Sequence, residues 1–460
     1  MSEVESKSTS LTEGVIWKQL LKFFFPILFG TLFQQLYNTV DAVIVGNFVG
    51  AQALAAVGGS PSQILNLLIG FFVGLASGAM IIISHYYGAG EQKALSDTVH
   101  TAVAFCLITG AALSVLGYFL SPWMLRAVRT PEDILADSAA YLRTFFIGII
   151  PLMLFNIGSG ILRAVGDSKR PLYYLIVCCA LNIVLDIVFV TLLGLGVSGA
   201  AWATVLSLTV SAGLVVWSLY STSEAYQLRF SKIRLHRHVL SRVLYIGIPA
   251  GIESVLYSIS NLIIQVQVNG LGSTMVAAWT ATGKWDGVFW SVSNSFGIAI
   301  SAFVGQSFGA KKYDRMRRSI RTCLYMALGT SAVLSTLLLS FGRFGLRLFT
   351  SDAEVIGLAA GIIRYFVPFY FLWSFIEVLA NSLRGAGDSI RPMIISLIGI
   401  CGFRLLWCGI AVPMHYDIMM ISICYPISWA LTAGAFLLYY LKSDWLSRCI
   451  RLEQRKTGPV

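Results

Sequence analysis

The sequence predicts an all-α polytopic membrane protein, with twelve transmembrane helices in two homologous six-helix lobes. Three observations carry that expectation. Of 460 residues, 57% are hydrophobic and 12% charged, with a mean hydropathy of +0.76, whereas a soluble chain is about 25% charged. Long apolar runs recur from Ile16 to Leu441. An eleven-residue stretch in the middle of the chain returns near its end. So few charges cannot cover a water-facing surface, which excludes a soluble enzyme, a secreted disulfide scaffold and a disordered chain.

Apolar runs between breakers place the helices near 16–45, 51–86, 95–120, 134–162, 171–193, 198–221, 241–269, 274–307, 316–341, 354–383, 392–413 and 418–442. Several are longer than the roughly 20 residues that span a bilayer. Tilt, bending at Pro26, Pro151, Pro249 and Pro368, or extension beyond the bilayer takes up the excess. The polar opening from Met1 to Gly14, with three acids, speaks against a cleavable signal. Seven of the eight cysteines lie in apolar runs, only Cys449 is in the tail, and no CxxC occurs, so neither a disulfide nor a zinc site is expected.

The net charge of +11 is topological. Of 33 Lys and Arg, 25 fall at the N-terminus, in the even-to-odd loops or in the tail, against four (Arg126, Arg129, Arg343, Arg347) on the opposite face. Both termini and the loop carrying Arg229, Lys232, Arg234, Arg237 and Arg242 are therefore expected in the cytoplasm, and no nucleic-acid partner is implied. His85 and His100 border a cytoplasmic loop and read as interfacial.

The repeat is the most informative feature. Ile161–Pro171 reads ILRAVGDSKRP and Ser382–Pro392 reads SLRGAGDSIRP, seven identities in eleven at an offset of 221. The same offset pairs Tyr87-Gly88-Ala89 with Phe308-Gly309-Ala310, and Pro26 pairs with Pro249 nearly so. The expected division is a cytoplasmic segment 1–15, an N-lobe 16–222, a basic linker 223–240, a C-lobe 241–442 and a cytoplasmic tail 443–460. Six helices is an even number, so the halves run parallel, a build that in transporters binds substrate between halves and rocks them. Within the repeat, Gly166 and Gly387 suit the residue after a helix end, and Asp167 or Ser168 and their copies suit the cap of the next helix.

With these residues in view, the chain resembles the multidrug and toxic compound extrusion (MATE) family, prokaryotic type, from Pro26 to about Leu441. The duplicated LRxxGDSxRP carries the resemblance, with Asn182-Ile-Val-Leu-Asp186, Gly196-Val-Ser-Gly-Ala-Ala-Trp-Ala-Thr204, and a polar first helix holding Gln34, Tyr37 and Asp41. The resemblance implies a cation-driven antiporter in the bacterial cytoplasmic membrane that extrudes amphipathic, often cationic, small molecules.

Ionisable residues inside a bilayer are functional candidates because desolvation costs several kcal/mol unless they are partnered. Asp41 lies 19 residues beyond Lys22, roughly 28 Å up the helix, and Asp186 lies 15 beyond Pro171, roughly 22 Å up. Thr204 lies a few residues below the outer loop at Leu195–Ser198. Asn182 and Asp186 share a face at i,i+4, and Gln34, Tyr37 and Asp41 trace another at i,i+3,i+7. Such a set suits Na+ or a shared proton equally. The family's N-lobe cation site falls on Asp41, Asn182, Asp186 and Thr204, and its substrate cavity on Gln34, Tyr37 and Asn156.

The second half does not copy this site: Trp407 stands where Asp186 would, and Phe403 where Asn182 would. It carries Glu253, Asp286 and Glu377 instead, which either bind a cationic substrate or second proton or form internal ion pairs, as with Arg404. Trp123, Trp279, Trp285 and Trp290 read as lipid belt or packing unless they face a cavity. No P-loop, HExxH or GxSxG motif is present, so no cofactor beyond the coupling ion is expected and enzyme chemistry lacks support. The competing reading is a flippase for lipid-linked saccharides, which asks for a more cationic cavity and often further helices. Monomer is the expected state.

Overall fold

The structure, a computed structural model, describes residues 11–457. Among them, eleven helices are long and apolar enough to cross a bilayer, and a bent pair makes a twelfth. They are α1 (Ile16–Phe48), α2 (Gln52–Ala89), α3 (Gln92–Ala127), α4 (Glu132–Ile147 with Ile149–Ala164), α5 (Lys169–Leu192), α6 (Gly196–Ser221), α7 (Arg237–Asn269), α8 (Gly287–Gly309), α9 (Tyr313–Ser340), α10 (Ala353–Gly385), α11 (Ile390–Met414) and α12 (Ile418–Lys442). A shorter helix, Ser273–Trp285, leads into α8, and an amphipathic one, α13 (Trp445–Thr457), follows α12. The chain is a multi-pass membrane protein. Phe119, Trp123, Tyr325 and Met414 are largely exposed, as suits side chains whose solvent is lipid.

Local breaks occur near the prolines, though not always at them. The two parts of α4 meet at 48° at Gly148, three residues before Pro151, and α10 tightens into a 3₁₀ turn over Val367–Phe369. The stretch expected as one helix over 274–307 is broken at Asp286, between Gly283 and Gly287, with its carboxyl turned inward. Helix α5 widens into a π turn at Ile187–Leu192, directly after Asp186; such turns interrupt the regular ladder and frequently mark functional positions.

The repeated hairpin is a helix stop followed by a cap. Gly166 and Gly387 take φ of 93° and 95°, the left-handed region open to glycine at little cost. The amide of Asp167 reaches back to the Leu162 carbonyl at 2.8 Å, and that of Asp388 to the Leu383 carbonyl at 3.0 Å. Asp167 Oδ1 then accepts from the amides of Lys169 and Arg170, capping α5. Both aspartates pair with the arginine three residues on, Arg170 and Arg391, and in the second copy Asp388 also accepts from the Tyr439 hydroxyl.

The chain divides into two compact units. The first spans Lys22–Gly251 and the second comprises Thr12–Leu21 and the residues from Ile252 onward. The division falls inside α7, about ten residues past the expected start of the C-lobe. Packing within the first unit explains why. A Cβ on Gly74 of α2 would lie 2.3 Å from the Gly251 amide nitrogen, and one on Gly78 would lie 2.5 Å from the Val243 carbonyl oxygen. Glycines four apart on both helices let the backbones touch, and Arg242 adds a hydrogen bond to the Tyr86 hydroxyl. In the second unit, Lys312 and Arg315 hold the segment 12–21 through the Thr12, Glu13 and Gly14 carbonyls.

His85 and His100, expected at the cytoplasmic border of their helices, are both buried against protein. The His100 ring accepts the Arg229 amide at 3.0 Å, and Thr101 holds His236, so the basic linker is seated on the start of α3.

Candidate functional site

In the first unit Asp41 of α1, Asn182 and Asp186 of α5 and Thr204 of α6 are all buried, and among the described residues no arginine or lysine is paired with the two acids. Asn182 and Asp186 are 0% exposed, Asp41 8% and Thr204 6%. The carboxyls of Asp41 and Asp186 act directly on each other. Both oxygens of Asp186, Oδ1 of Asp41 and both amide atoms of Asn182 lack hydrogen-bond partners. Buried polar groups are normally satisfied, so this cluster is built to be completed by something else. Its donors are carboxylate and amide oxygens, which fit a hard monovalent cation or shared protons. Thr204 spends its hydroxyl proton on the Ala200 carbonyl of its own helix, leaving its oxygen as an acceptor.

Tyr37 contacts Gln34 and lies beside Cys178 and Cys179 of α5 and within electrostatic reach of Asp41. Tyr141 of α4 is buried against the same group and feels Asp41, Tyr37 and Asp186. Sequence reasoning missed it, since a tyrosine in an aromatic-rich span carries no pattern of its own. Gln34 is exposed. Asn156 stands apart from the carboxyl pair: its amide is committed to the Leu152 carbonyl, and it edges a narrow apolar cleft of about 20 Å³ with Phe72, Phe105 and Val243.

The second unit treats its charges differently. Glu253 sits with both carboxylate oxygens 2.7 Å from one guanidinium nitrogen of Arg384, the arginine of the repeated hairpin. Glu377 accepts from Asn381 at 2.8 Å. Asp286 accepts from the Tyr370 hydroxyl at 2.6 Å, and its other oxygen has no partner. Arg404, the counter-charge suggested by the sequence, pairs with none of these acids. It is 1% exposed, donates to Asn261 at 3.1 Å and lies over the rings of Tyr425 and Tyr257. Trp407 and Phe403 stack at 5.5 Å where the first half has its carboxyl and amide.

Beside Asp286 opens a cavity of about 380 Å³ walled by Trp279, Trp290, Phe366, Tyr425 and Trp429. Trp279 and Trp290 thus face a cavity and Trp123 the lipid, while Trp285 packs against Gly345.

A duplicated helical bundle with an unanswered carboxyl pair and a ring-lined cavity is the build of a membrane transporter rather than an enzyme. The sequence profile of the MatE family matches residues 26–188 and 249–409, beginning at the two prolines of the repeat, and the chain belongs to that family. It is 30% identical over 442 residues to the probable multidrug resistance protein YoeA of Bacillus subtilis, covering 92% of this chain and 93% of that protein. It is 25% identical to a probable multidrug resistance protein NorM of Thermotoga maritima, over 85% of this chain and 84% of that one. Its fold is that of a MOP superfamily transporter from Pyrococcus furiosus, with a TM-score of 0.87 at 22% identity over 98% of this chain and 100% of the other.

Proposed function

We propose that the protein is a secondary active exporter of amphipathic, cationic small molecules, driven by inward movement of Na+ or H+. The carrying observation is the Asp41–Asp186 pair, whose buried oxygens have no donor while Asn182 beside them has no partner for either amide atom. Two adjacent buried carboxylates repel each other, so the cluster takes up a cation or proton when it faces the driving side. Loading offsets one of the two charges and changes how α1 packs against α5; cargo leaves outward, and rocking of the two lobes returns the ion to the cytoplasm. Thr204 contributes its free acceptor to the ion, and Tyr141 orients the pair. Gln34, Tyr37 and Asn156 serve cargo in the first half, and Glu253, Asp286 and Glu377 serve it in the second.

The relatives named as multidrug resistance proteins support this reading over a lipid-linked saccharide flippase. In the same proposal the protein acts as a monomer in the bacterial cytoplasmic membrane, with both termini inside and no cofactor beyond the ion. Reconstituted vesicles with an imposed Na+ or H+ gradient test it. Wild type is expected to move a cationic dye against its gradient under one of the two, and Asp41→Asn to abolish that dependence. Gradient-driven movement that survives Asp41→Asn sinks the reading, as does scrambling of a lipid-linked sugar with no dye movement.

A further inference from the structure

The basic linker of the first unit folds down onto the helices rather than hanging free of them. Tyr226 and Leu228 are buried, the Leu228 amide donates to the Leu219 carbonyl at 2.8 Å, and the Arg229 amide donates to His100. Between the linker and the first turns of α3 lies an open basin of about 710 Å³. Lys93 of α3 and Arg229, Lys232 and Arg234 of the linker converge on it. Arg229 and Arg234 commit their Nε hydrogens to neutral partners, Gln227 Oε1 and His236 Nε2, both at 2.9 Å. Their Nη groups and the two lysine amines have no hydrogen bond or ion pair among the described residues. An orientation signal asks only for exposed positive charge on one side of the membrane. It gives no reason to gather four like charges round one hollow, where they repel unless an anion lies between them. The basin also sits where a span ends. Trp217 and Tyr220, both exposed, stand on the last turn of α6, which stops at Ser221. Phe230, 60% exposed, stacks on Tyr220 with ring centroids 5.5 Å apart. Phe230 directly follows Arg229, and the exposed Leu235 directly follows Arg234. Aromatic rings at the end of a span lie at headgroup depth, and basic residues interleaved with exposed apolar ones are how a segment rests on a membrane.

We propose that this basin holds the headgroup of an anionic phospholipid, its phosphate among Lys93, Arg229, Lys232 and Arg234 and its chains beside Tyr220 and Phe230. Asp97 and Glu224 also border the basin. Four cations against two carboxylates leave a surplus of two positive charges, enough for a phosphodiester. The carboxylates accept hydrogen bonds from a hydroxylated headgroup, so phosphatidylglycerol meets both demands. The site shares no residue with the carboxyl pair or with either set of cargo residues, and it stands whatever the protein exports. Its consequence is that the segment joining the two halves is tied to the bilayer by a lipid.

Native mass spectrometry of the delipidated full-length protein tests this by reading the tightest binding step. The probes are dioleoyl phosphatidylglycerol, dioleoyl phosphatidylcholine and glycerol 3-phosphate. Wild type is expected to hold phosphatidylglycerol at least about tenfold more tightly than either of the others, since each basic residue near an anionic headgroup adds several-fold. The triple variant Arg229→Gln, Lys232→Gln, Arg234→Gln should bring the two lipids within about twofold of each other. Lys93→Gln, on a different element, should shrink the preference in the same direction. The control Arg317→Gln, Arg318→Gln, Arg321→Gln removes the same charge from exposed positions on α9 of the second unit, and should leave the preference as in wild type. Equal binding of the two lipids by wild type overturns the proposal, and so does a preference that survives the linker variant or is lost as fully in the α9 control. Glycerol 3-phosphate bound as tightly as phosphatidylglycerol overturns it too, because the ligand is then a soluble phosphate ester.

Discussion

Replacing Asp186 with Asn tests the carboxyl pair with almost no change of shape. Asp186 is completely buried and both its oxygens lack donors, so the amide removes a charge without breaking a native hydrogen bond. Like charges about 4 Å apart at an effective dielectric near 20 interact by about 4 kcal/mol, and a bound cation gains a comparable attraction from each carboxylate. Losing one therefore weakens cation binding by up to about 4 kcal/mol, on the order of 10³-fold. Asn182 and Asp41 remain, so some affinity survives. The assay is dye efflux from vesicles, titrated with the driving cation to find the half-saturating concentration. That concentration is expected to rise at least about a hundredfold in Asp186→Asn, or to move beyond reach, while protein yield and melting temperature stay near wild type. The double variant with Asp41→Asn should lose the affinity that the remaining carboxylate supplies, so its half-saturating concentration should rise further than in either single variant. A half-saturating concentration within about threefold of wild type would refute the shared-site argument, since no arrangement of two adjacent carboxylates around one cation tolerates that loss so cheaply.

Other expectations follow from packing and backbone. Gly251→Leu drives a side chain into Phe71 and the α2 backbone, so the melting temperature in detergent should fall by several degrees as overpacking costs about 1–3 kcal/mol; an unchanged midpoint means the α2–α7 contact is not tight in solution. Gly387→Ala places a Cβ at φ 95° and should destabilise by about 1–2 kcal/mol. Conversely, Lys311→Gly relieves a non-glycine residue held at φ 56° and should raise the midpoint slightly, by about 1 kcal/mol of stability. All eight thiols are buried, and burial pushes that of Cys449 on α13 up to about 12. Maleimide should therefore label the native protein slowly at pH 8, and Trp445→Ala, which removes the ring packed on Tyr440, should make one cysteine reactive.

Much of the fold was legible because hydropathy is a one-dimensional signal. Twelve spans, most of their limits to within a few residues, and the duplication at Gly166 and Gly387 come from runs and spacings along the chain, whereas the break at Asp286 that starts α8 at Gly287 does not. The chemistry of the first unit was legible too: Asn182 and Asp186 sit one turn apart on a single helix, so their shared face needs no tertiary knowledge. What the sequence could not determine was the rotation and height of one helix against another. A span reads as apolar from every direction, and nothing in hydropathy says which neighbour a given face meets. Tertiary structure therefore decided that Glu253 answers Arg384 while Arg404 answers no acid, that Tyr141 lies within electrostatic reach of the carboxyl pair, and that Trp279 and Trp290, left open between belt, packing and cavity, line a cavity. It also set the start of α7 against α2, up to Gly251, because glycines on α2 and α7 let two backbones meet, an attraction of shape that appears only when both helices are in place.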